Sequence, residues 1–330
     1  MYWLITGGCG FIGTNLIEAL IRDGGHHVRV VDNLTAGSRR SLASVSNFRE
    51  LKASQITGAP RGVELVVANV LDAVTATLVA KEVDVIVHLA ANTGVAPSVA
   101  NPRQDCEVNV LGTLNYLESA RENGVKRFIF ASSGAPIGAA EPPIHEELAP
   151  RPVSPYGASK LSGEGYCSAY WGSFSIEAVA LRFGNVYGPN SLHKSSVVSS
   201  FLKDALRTGR IKVHGTGNQT RDFIFIADLV DAVVRAATTP GIGGELFQIA
   251  TNRETSINEL ADIICSMLTR VIGRSIHVAY GRQRQGDVSR NYSETRKAGE
   301  LMGWVARYEL ERGLQETIPY FLRATEKGAR

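Results

Sequence analysis

A short strand that runs through a glycine loop into a helix constrains this chain more than any bulk property does. Leu4-Ile5-Thr6 is apolar and partly β-branched, and Gly7, Gly10 and Gly13 follow at three-residue spacing as helical periodicity begins. Gly7 suits a tight turn, Gly10 lacks the Cβ that would keep backbone away from a pyrophosphate, and Gly13 lets the helix lie close on a sheet. The amides at the helix start, around Phe11 and Ile12, face such an anion. The next apolar run ends in Val30-Val31-Asp32, which places a carboxylate where the adenosine ribose of a dinucleotide would sit. Asp32 accepts from ribose hydroxyls and repels a 2′-phosphate, so NAD is expected rather than NADP, with Arg39 and Arg40 nearby as a weaker opposing signal.

Further runs at Val28–Val31, Val63–Ala68, Val83–His88, Arg127–Ala131 and Glu177–Arg182 read as strands that are apolar almost throughout, as in a parallel sheet covered on both faces. Ile12–Arg22, Thr75–Ala80, Val108–Glu122 and Tyr156–Trp171 carry apolar residues at helical spacing between them. The alternation predicts an α/β fold, a doubly wound parallel sheet of the Rossmann type. After about Gly188 the rhythm changes, with helices at Ser196–Thr208 and Ile257–Leu268 and several glycine turns. A smaller, mostly C-terminal α/β lobe is expected there. Phe223–Ala237 and Glu245–Ala250 are read as returning to the sheet. The expected division is 1–185 plus about 223–252 for the nucleotide-binding unit, and about 186–222 plus 253–330 for the lobe.

Composition removes several classes. Lys and Arg total 35 against 32 Asp and Glu, a net charge of +3 with the basic residues scattered, which argues against nucleic-acid binding. Cys9, Cys106, Cys167 and Cys265 are too few and too dispersed for a disulfide framework or a metal site, so no metal is expected. No basic leader with a long apolar core opens the sequence and no apolar stretch is long enough to span a bilayer, so a cytoplasmic protein without membrane attachment is expected.

Ser154-Pro155-Tyr156-Gly157-Ala158-Ser159-Lys160 opens a helix, with Ser154 as cap and Pro155 in the first turn. Tyr156 and Lys160, four residues apart, share a face. A free tyrosine of pKa about 10 is only about one part per thousand phenolate at pH 7, and lowering it by roughly three units takes about 4 kcal/mol. One ammonium near 4 Å at an effective dielectric of about 20 supplies roughly that much. Such a pair also occurs on ordinary solvated helix faces, and it gains meaning here from the nucleotide loop upstream. Phe128-Ile129-Phe130-Ala131-Ser132-Ser133 ends a strand where ligands of such sheets sit, and positions Ser133 toward the same substrate oxygen.

Together these residues resemble the extended short-chain dehydrogenase/reductase family, and within it the sugar-nucleotide epimerases and dehydratases. The resemblance rests on residues 6–13, Val31-Asp32-Asn33-Leu34, His88-Leu89-Ala90-Ala91, Asn109 in Val108-Asn109-Val110, and Pro155-Tyr156-Gly157-Ala158-Ser159-Lys160. It continues through Leu181-Arg182-Phe183-Gly184-Asn185-Val186-Tyr187-Gly188-Pro189, residues 215–223, and Gly286-Asp287 before Gly303-Trp304. It implies Tyr156 as catalytic base, Lys160 as its partner on the nicotinamide ribose, and Ser133 as the third catalytic member. It also implies NAD contacts from Gly7, Gly10, Phe11, Ile12, Gly13, Asp32, Asn33, Asn69, Val70, Leu89, Ala90, Ala91 and Asn109. Asn69 stands where the family usually has Asp, which keeps an acceptor and loses a charge. For the nucleoside diphosphate and sugar it implies Thr93, Ser133, Asn185, Val198, Arg221, Arg284 and Asp287, with His193 and Lys194 as further cations and Asn291 at the pocket wall. A homodimer built on Val108–Glu122 and Tyr156–Trp171 is implied as well.

Dehydratases and decarboxylases of the family place acids just after the serine position, whereas Gly134 and Ala135 follow Ser133 here. The expected reaction is therefore inversion at C4 of a UDP-sugar: UDP-GlcNAc/GalNAc, UDP-Glc/Gal or UDP-GlcA/GalA. Asn291 is smaller than the tyrosine that excludes N-acetyl groups, and Pro136-Ile137 replaces the family's common Val-Tyr. A 4,6-dehydratase or reductase is the alternative enzyme, and an NAD(H)-sensing binding module the non-enzymatic one.

Overall fold

The computed structural model describes residues 1–283 and 288–328. In chain order the elements are β1 (Tyr2–Thr6), α1 (Phe11–Asp23), β2 (His27–Asp32), α2 (Arg39–Ala43), β3 (Arg49–Leu51), β4 (Val63–Val67), α3 (Ala73–Val79), β5 (Val85–His88), α4 (Val95–Ala100) and α5 (Pro102–Cys106). Next come α6 (Gly112–Asn123), β6 (Arg127–Ser133), α7 (Pro155–Phe174), β7 (Glu177–Phe183), β8 (Asn185–Tyr187), α8 (Val197–Thr208) and β9 (Arg210–His214). The last are β10 (Thr220–Arg221), β11 (Phe223–Phe225), α9 (Ile226–Thr238), β12 (Leu246–Ile249), β13 (Thr255–Ser256), α10 (Ile257–Ile272), β14 (His277–Gly281), α11 (Arg296–Met302) and α12 (Leu310–Gly328).

Eight strands form one parallel sheet in the order β12-β7-β6-β5-β1-β2-β4-β3. Side chains alternate across it. Trp3, Ile5, Val28, Val30, Val85 and Val87 point to one face with Leu16, Ile17 and Leu20 of α1 and Leu229 and Val233 of α9. Leu4, Val31, Val66, Ile86, Phe128 and Phe130 point to the other, against Ala76 of α3, Tyr116 and Leu117 of α6, and Cys167 and Tyr170 of α7. That two-sided burial is why the strands read as apolar runs. Charged residues interrupt the pattern in places: Arg29 and Glu64 lie side by side on β2 and β4 and meet at 3.0 Å, and Arg127 and Glu177 pair across β6 and β7.

The expected strands all form, with ends shifted by one or two residues, and three readings need correction. The helix read as Val108–Glu122 is divided, because residues 107–111 wind as a π turn before α6 begins at Gly112. Of the two segments read as returning to the sheet, Leu246–Ile249 does so beside β7, but Phe223–Phe225 pairs with β8 in a separate ribbon. β3, too short and polar to be read as a strand, adds the far edge. At the opposite edge, the backbone N–H of Gln248 in β12 donates to Glu146 Oε1 at 2.7 Å. Beyond the sheet, β9 pairs in parallel with β14 and β10 antiparallel with β13, and α8, α10 and α12 pack on one another.

Candidate active site

β1 lies between β2 and β5, so the chain's path through the sheet reverses there and opens a crevice at the carboxyl ends of these strands. The glycine loop lines it. Gly7 has φ +67° and its N–H donates to Val31 O at 2.7 Å. A Cβ at Gly7 would stand 2.8 Å from Ala90 N, so any side chain would force the two loops apart. Gly10 caps α1 with no side-chain hydrogen bond, which leaves the Phe11, Ile12 and Gly13 amides at the helix start open to an anion. Gly13 rests against Gly8 backbone, with no room for a Cβ. These are the features a pyrophosphate cradle requires, and the residues fit a dinucleotide.

Asp32 does more than stand ready for a ribose. Its Oδ2 accepts from Cys9 N at 2.9 Å and its Oδ1 from Leu34 N at 2.8 Å, so it ties the glycine loop to the turn after β2. Burial raises its pKa above the ordinary carboxylate value, against the two N–H donors. Asn33 is exposed and accepts from Thr35 N and Oγ1. Arg39 makes a two-point ion pair with Glu50 at 2.7 and 2.8 Å, which sets its charge against an acid rather than toward a ribose phosphate. Asn69 Oδ1 accepts from Leu71 N, while Val70 is buried and packs against Gly112 at the start of α6. The backbone at Leu89 and Ala90 is fixed by Thr6, whose carbonyl and hydroxyl accept their N–H groups at 3.2 and 3.1 Å. Ala91 follows, half-buried, and Thr93 is exposed just before α4, which packs on α7.

Across the crevice, Ser154 Oγ accepts from Gly157 N at 3.1 Å and starts α7, placing Tyr156 in its first turn. Ser133, at the end of β6, accepts from Ala135 N at 3.2 Å and acts on the Tyr156 phenol, favouring its ionised form. Lys160 is 3% exposed, donates to Ala131 O at 2.7 Å, and sits 6.0 Å from the centre of the Tyr156 ring. Sequence alone led to a phenol lowered by this ammonium. Instead, burial pushes Tyr156 up to about 12, with Ser133 pulling the other way, and pushes Lys160 down to about 8. The reason is that both groups lose water, and the ammonium points to a carbonyl rather than to the phenol.

Asn109 was expected at the cofactor. It is buried in the π turn with every polar atom engaged: Oδ1 accepts from Asn92 N at 2.8 Å, and Nδ2 donates to Asn92 O, Asp105 Oδ1 and Ser159 Oγ at 3.0, 3.1 and 3.0 Å. It locks the loop after β5 to α7. On the lobe side, Asn185 lies on β8 half-buried. Val198 is core, so only its backbone N–H in the first turn of α8 faces outward chemistry. His193 and Lys194 share the turn before α8, and lost hydration lowers both. Arg221 donates to the carbonyls of Thr220 and Val288 at 2.6 and 2.8 Å. Asn291 reaches the serine end of the crevice, its Nδ2 lying 3.9 Å from where a Gly134 Cβ would be. Arg284 and Asp287 lie outside the described residues.

The family model described as "NAD dependent epimerase/dehydratase family" matches residues 3–250. The chain is 35% identical over 326 residues to a UDP-glucose 4-epimerase of Mycolicibacterium smegmatis, covering 97% of this chain and 98% of that protein. The chain belongs to the NAD dependent epimerase/dehydratase family. Among solved structures, this family member is similar to the Thermotoga maritima UDP-glucose 4-epimerase with UDP-glucose, at 32% identity and TM-score 0.86, covering 98% and 100% of the two chains. It is also similar to the Bacillus cereus UDP-glucuronic acid 4-epimerase in complex with UDP-glucuronic acid and NAD, at 27% identity and TM-score 0.85, with the same coverage.

Sequence reasoning passed over several residues of this epimerase/dehydratase-family site. Glu164 accepts from Ser132 Oγ at 2.5 Å and from Arg182 Nε and Nη2 at 2.8 and 2.7 Å, anchoring α7 to β6 and β7. Its signal was available: Glu164 follows Lys160 by one turn, and Arg182 interrupts an apolar strand. Asp222 accepts from Thr251 N and Oγ1 and from Ser293 N, joining the ribbon of β8 and β11 to the segment that carries Asn291.

Proposed function

We propose that this protein is an NAD-dependent 4-epimerase of UDP-sugars. The observation that carries the reading is the convergence of Ser133, at the carboxyl end of β6, with Tyr156 and Lys160, one turn apart on α7, across the crevice from the glycine cradle. The full-length likeness to UDP-sugar 4-epimerases supports it. A bound NAD would supply reversible hydride acceptance at C4 of the sugar. Gly7, Gly10, Phe11, Ile12 and Gly13 would hold its pyrophosphate and Asp32 its adenosine ribose, with Lys160 serving its nicotinamide ribose.

Tyr156 takes the proton of the 4-hydroxyl and gives it back, and Ser133 fixes that oxygen by a second hydrogen bond. Burial keeps the phenol protonated in the protein alone, and a bound cofactor would supply positive charge that favours its ionisation. The UDP moiety is anchored from the lobe by Asn185, Val198, Arg221, Arg284 and Asp287, with His193 and Lys194 on the same side, while the hexose turns between Thr93, Ser133 and Asn291. Gly134 and Ala135 carry no carboxylate for elimination of water, which favours epimerisation over dehydration. Residues 1–185 plus about 223–252 form the cofactor unit, and the remainder the sugar-nucleotide lobe.

The protein acts in the cytoplasm as a homodimer through α6 and α7. Its four free thiols suit a reducing compartment, and no described helix is long and apolar enough to cross a membrane. Leu111, in the π turn before α6, and Tyr166, on α7, leave apolar surface. Purified protein incubated with UDP-glucose, UDP-N-acetylglucosamine or UDP-glucuronate should form the C4 epimer of at least one without added reductant. Tyr156→Phe should lower turnover by at least about 100-fold while retaining NAD. Epimerisation by the Phe variant at the wild-type rate would sink the assignment.

A further inference from the structure

Two buried carboxylates bear on Lys160, and they differ in how their charge is met. Glu164 is gripped at both oxygens by Arg182 and also receives Ser132. Asp105, in α5, is 1% exposed; its Oδ1 accepts from Asn109 Nδ2, and its Oδ2 has no hydrogen-bond partner among the described residues. An ionised carboxylate out of water needs a counter-charge. α5 packs on α7, and the field of Asp105 reaches both Tyr156 and Lys160, of which Lys160 is the cation.

We propose that Asp105 is a positioning residue of the reaction: it is the counter-ion of the Lys160 ammonium and, through Asn109 and Ser159, holds the first turn of α7 against the loop after β5. This deepens the epimerase reading and rests on it. The mechanical half is a continuous chain of hydrogen bonds, because Asn109 Nδ2 reaches Ser159 Oγ, and that hydroxyl reaches Tyr156 O at 3.1 Å.

The electrostatic half follows from a survey of what faces Lys160. β5 presents His88, pushed down to about 3 by burial and therefore neutral. β6 presents the Ala131 carbonyl and the Phe130 ring. α7 itself presents Tyr156, Glu164 and Cys167, the thiol driven upward by burial and so also neutral. Among the described residues, Asp105 is left as the acid that no arginine meets. Burial already brings Lys160 down to about 8, with Asp105 the foremost opposing influence. Loss of that carboxylate removes the foremost support of the ammonium, so Lys160 gives up its proton at lower pH.

The test compares wild type, Asp105→Asn, Asp105→Glu, Lys160→Met and the double variant D105N/K160M, all as NAD-bound protein. Wild-type kcat should fall as Lys160 deprotonates, and in Asp105→Asn this alkaline limb should move at least about one pH unit lower. KM should change less than about two-fold, and Asp105→Glu should restore much of the profile. In the K160M background the same Asn substitution should change the residual rate by less than about two-fold. A uniform loss at every pH, or an equal loss with and without Lys160, overturns the proposal. The same proteins give a readout independent of turnover. Asp105→Asn should lower Tm by several degrees with Lys160 present and hardly at all in K160M, whereas equal losses overturn the proposal. Should Asp105→Asn fail to fold alone, recovery of folding by K160M supports the pairing and persistent failure overturns it. An inactive wild type that shows the Tm coupling would defeat the epimerase reading and leave the ion pair standing.

Discussion

Around Tyr156 and Lys160 burial works against ionisation, Ser133 favours the phenolate while Asp105 opposes it, and Asp105 and Glu164 favour the ammonium, so the site holds charge only where a partner is built in. His88 shows the same physics without a partner. It is fully buried among Tyr116, Phe128 and Phe130, with Nδ1 on the Thr6 hydroxyl and Nε2 without a partner among the described residues, and its pKa is pushed down to about 3. The unfolded chain binds that proton near pH 6.5 and the folded one does not, so stability is present above 6.5 and lost as pH falls toward 3. Denaturant midpoints between pH 7 and 4 should show an acid slope with up to about 1.4 kcal/mol per pH unit from this residue. His88→Gln should flatten that slope. The Thr6 hydroxyl links His88 to the Ala90 amide beside the cradle, so His88→Gln should also weaken NAD retention.

At the level of elements, α7 is the part whose placement decides activity. Gly163 lets it lie flat on the sheet, since a Cβ there would run into the Phe130 ring, and the Glu164–Arg182 pair pins it. Breaking a buried pair strands the remaining charge, so Glu164→Ala should destabilise the protein by about 3–5 kcal/mol in chemical unfolding. This element also marks the limit of what the chain's own order reveals. The Tyr156–Lys160 face was legible because four-residue spacing is a local property of a helix, and the glycine cradle because strand, loop and helix are contiguous. Arg182 as the partner of Glu164 was not, because it depends on the register that sets Ser132 opposite Arg182 across β6 and β7. The bracing by Asp105 and Asn109 was hidden for another reason: Asp105 precedes the helix read as Val108–Glu122, and only tertiary packing brings Asn92 and Ser159 to Asn109. The Arg29–Glu64 pair likewise exists only once β2 and β4 are neighbours.

For the whole molecule, the reversal of strand order beside β1 gathers the cradle, the Ser133–Tyr156 pair and the lobe around one crevice, so binding at either end should stabilise the rest. NAD at about 100 times its Kd should add roughly 2.7 kcal/mol to unfolding. Protein stripped of NAD should therefore melt lower and regain its Tm when NAD is restored. Asp222 carries the connection onward, since it binds both the segment after β12 and the strand of chain that brings Asn291 over Gly134. The open side of β12 has its own consequence. An edge strand offers N–H groups that can recruit a strand from another molecule, and the outward N–H of Gln248 is already taken by the Glu146 side chain. The carboxylate thus fills the place an incoming strand would need at Gln248, on an edge where Phe247, Gln248 and Ile249 are themselves buried.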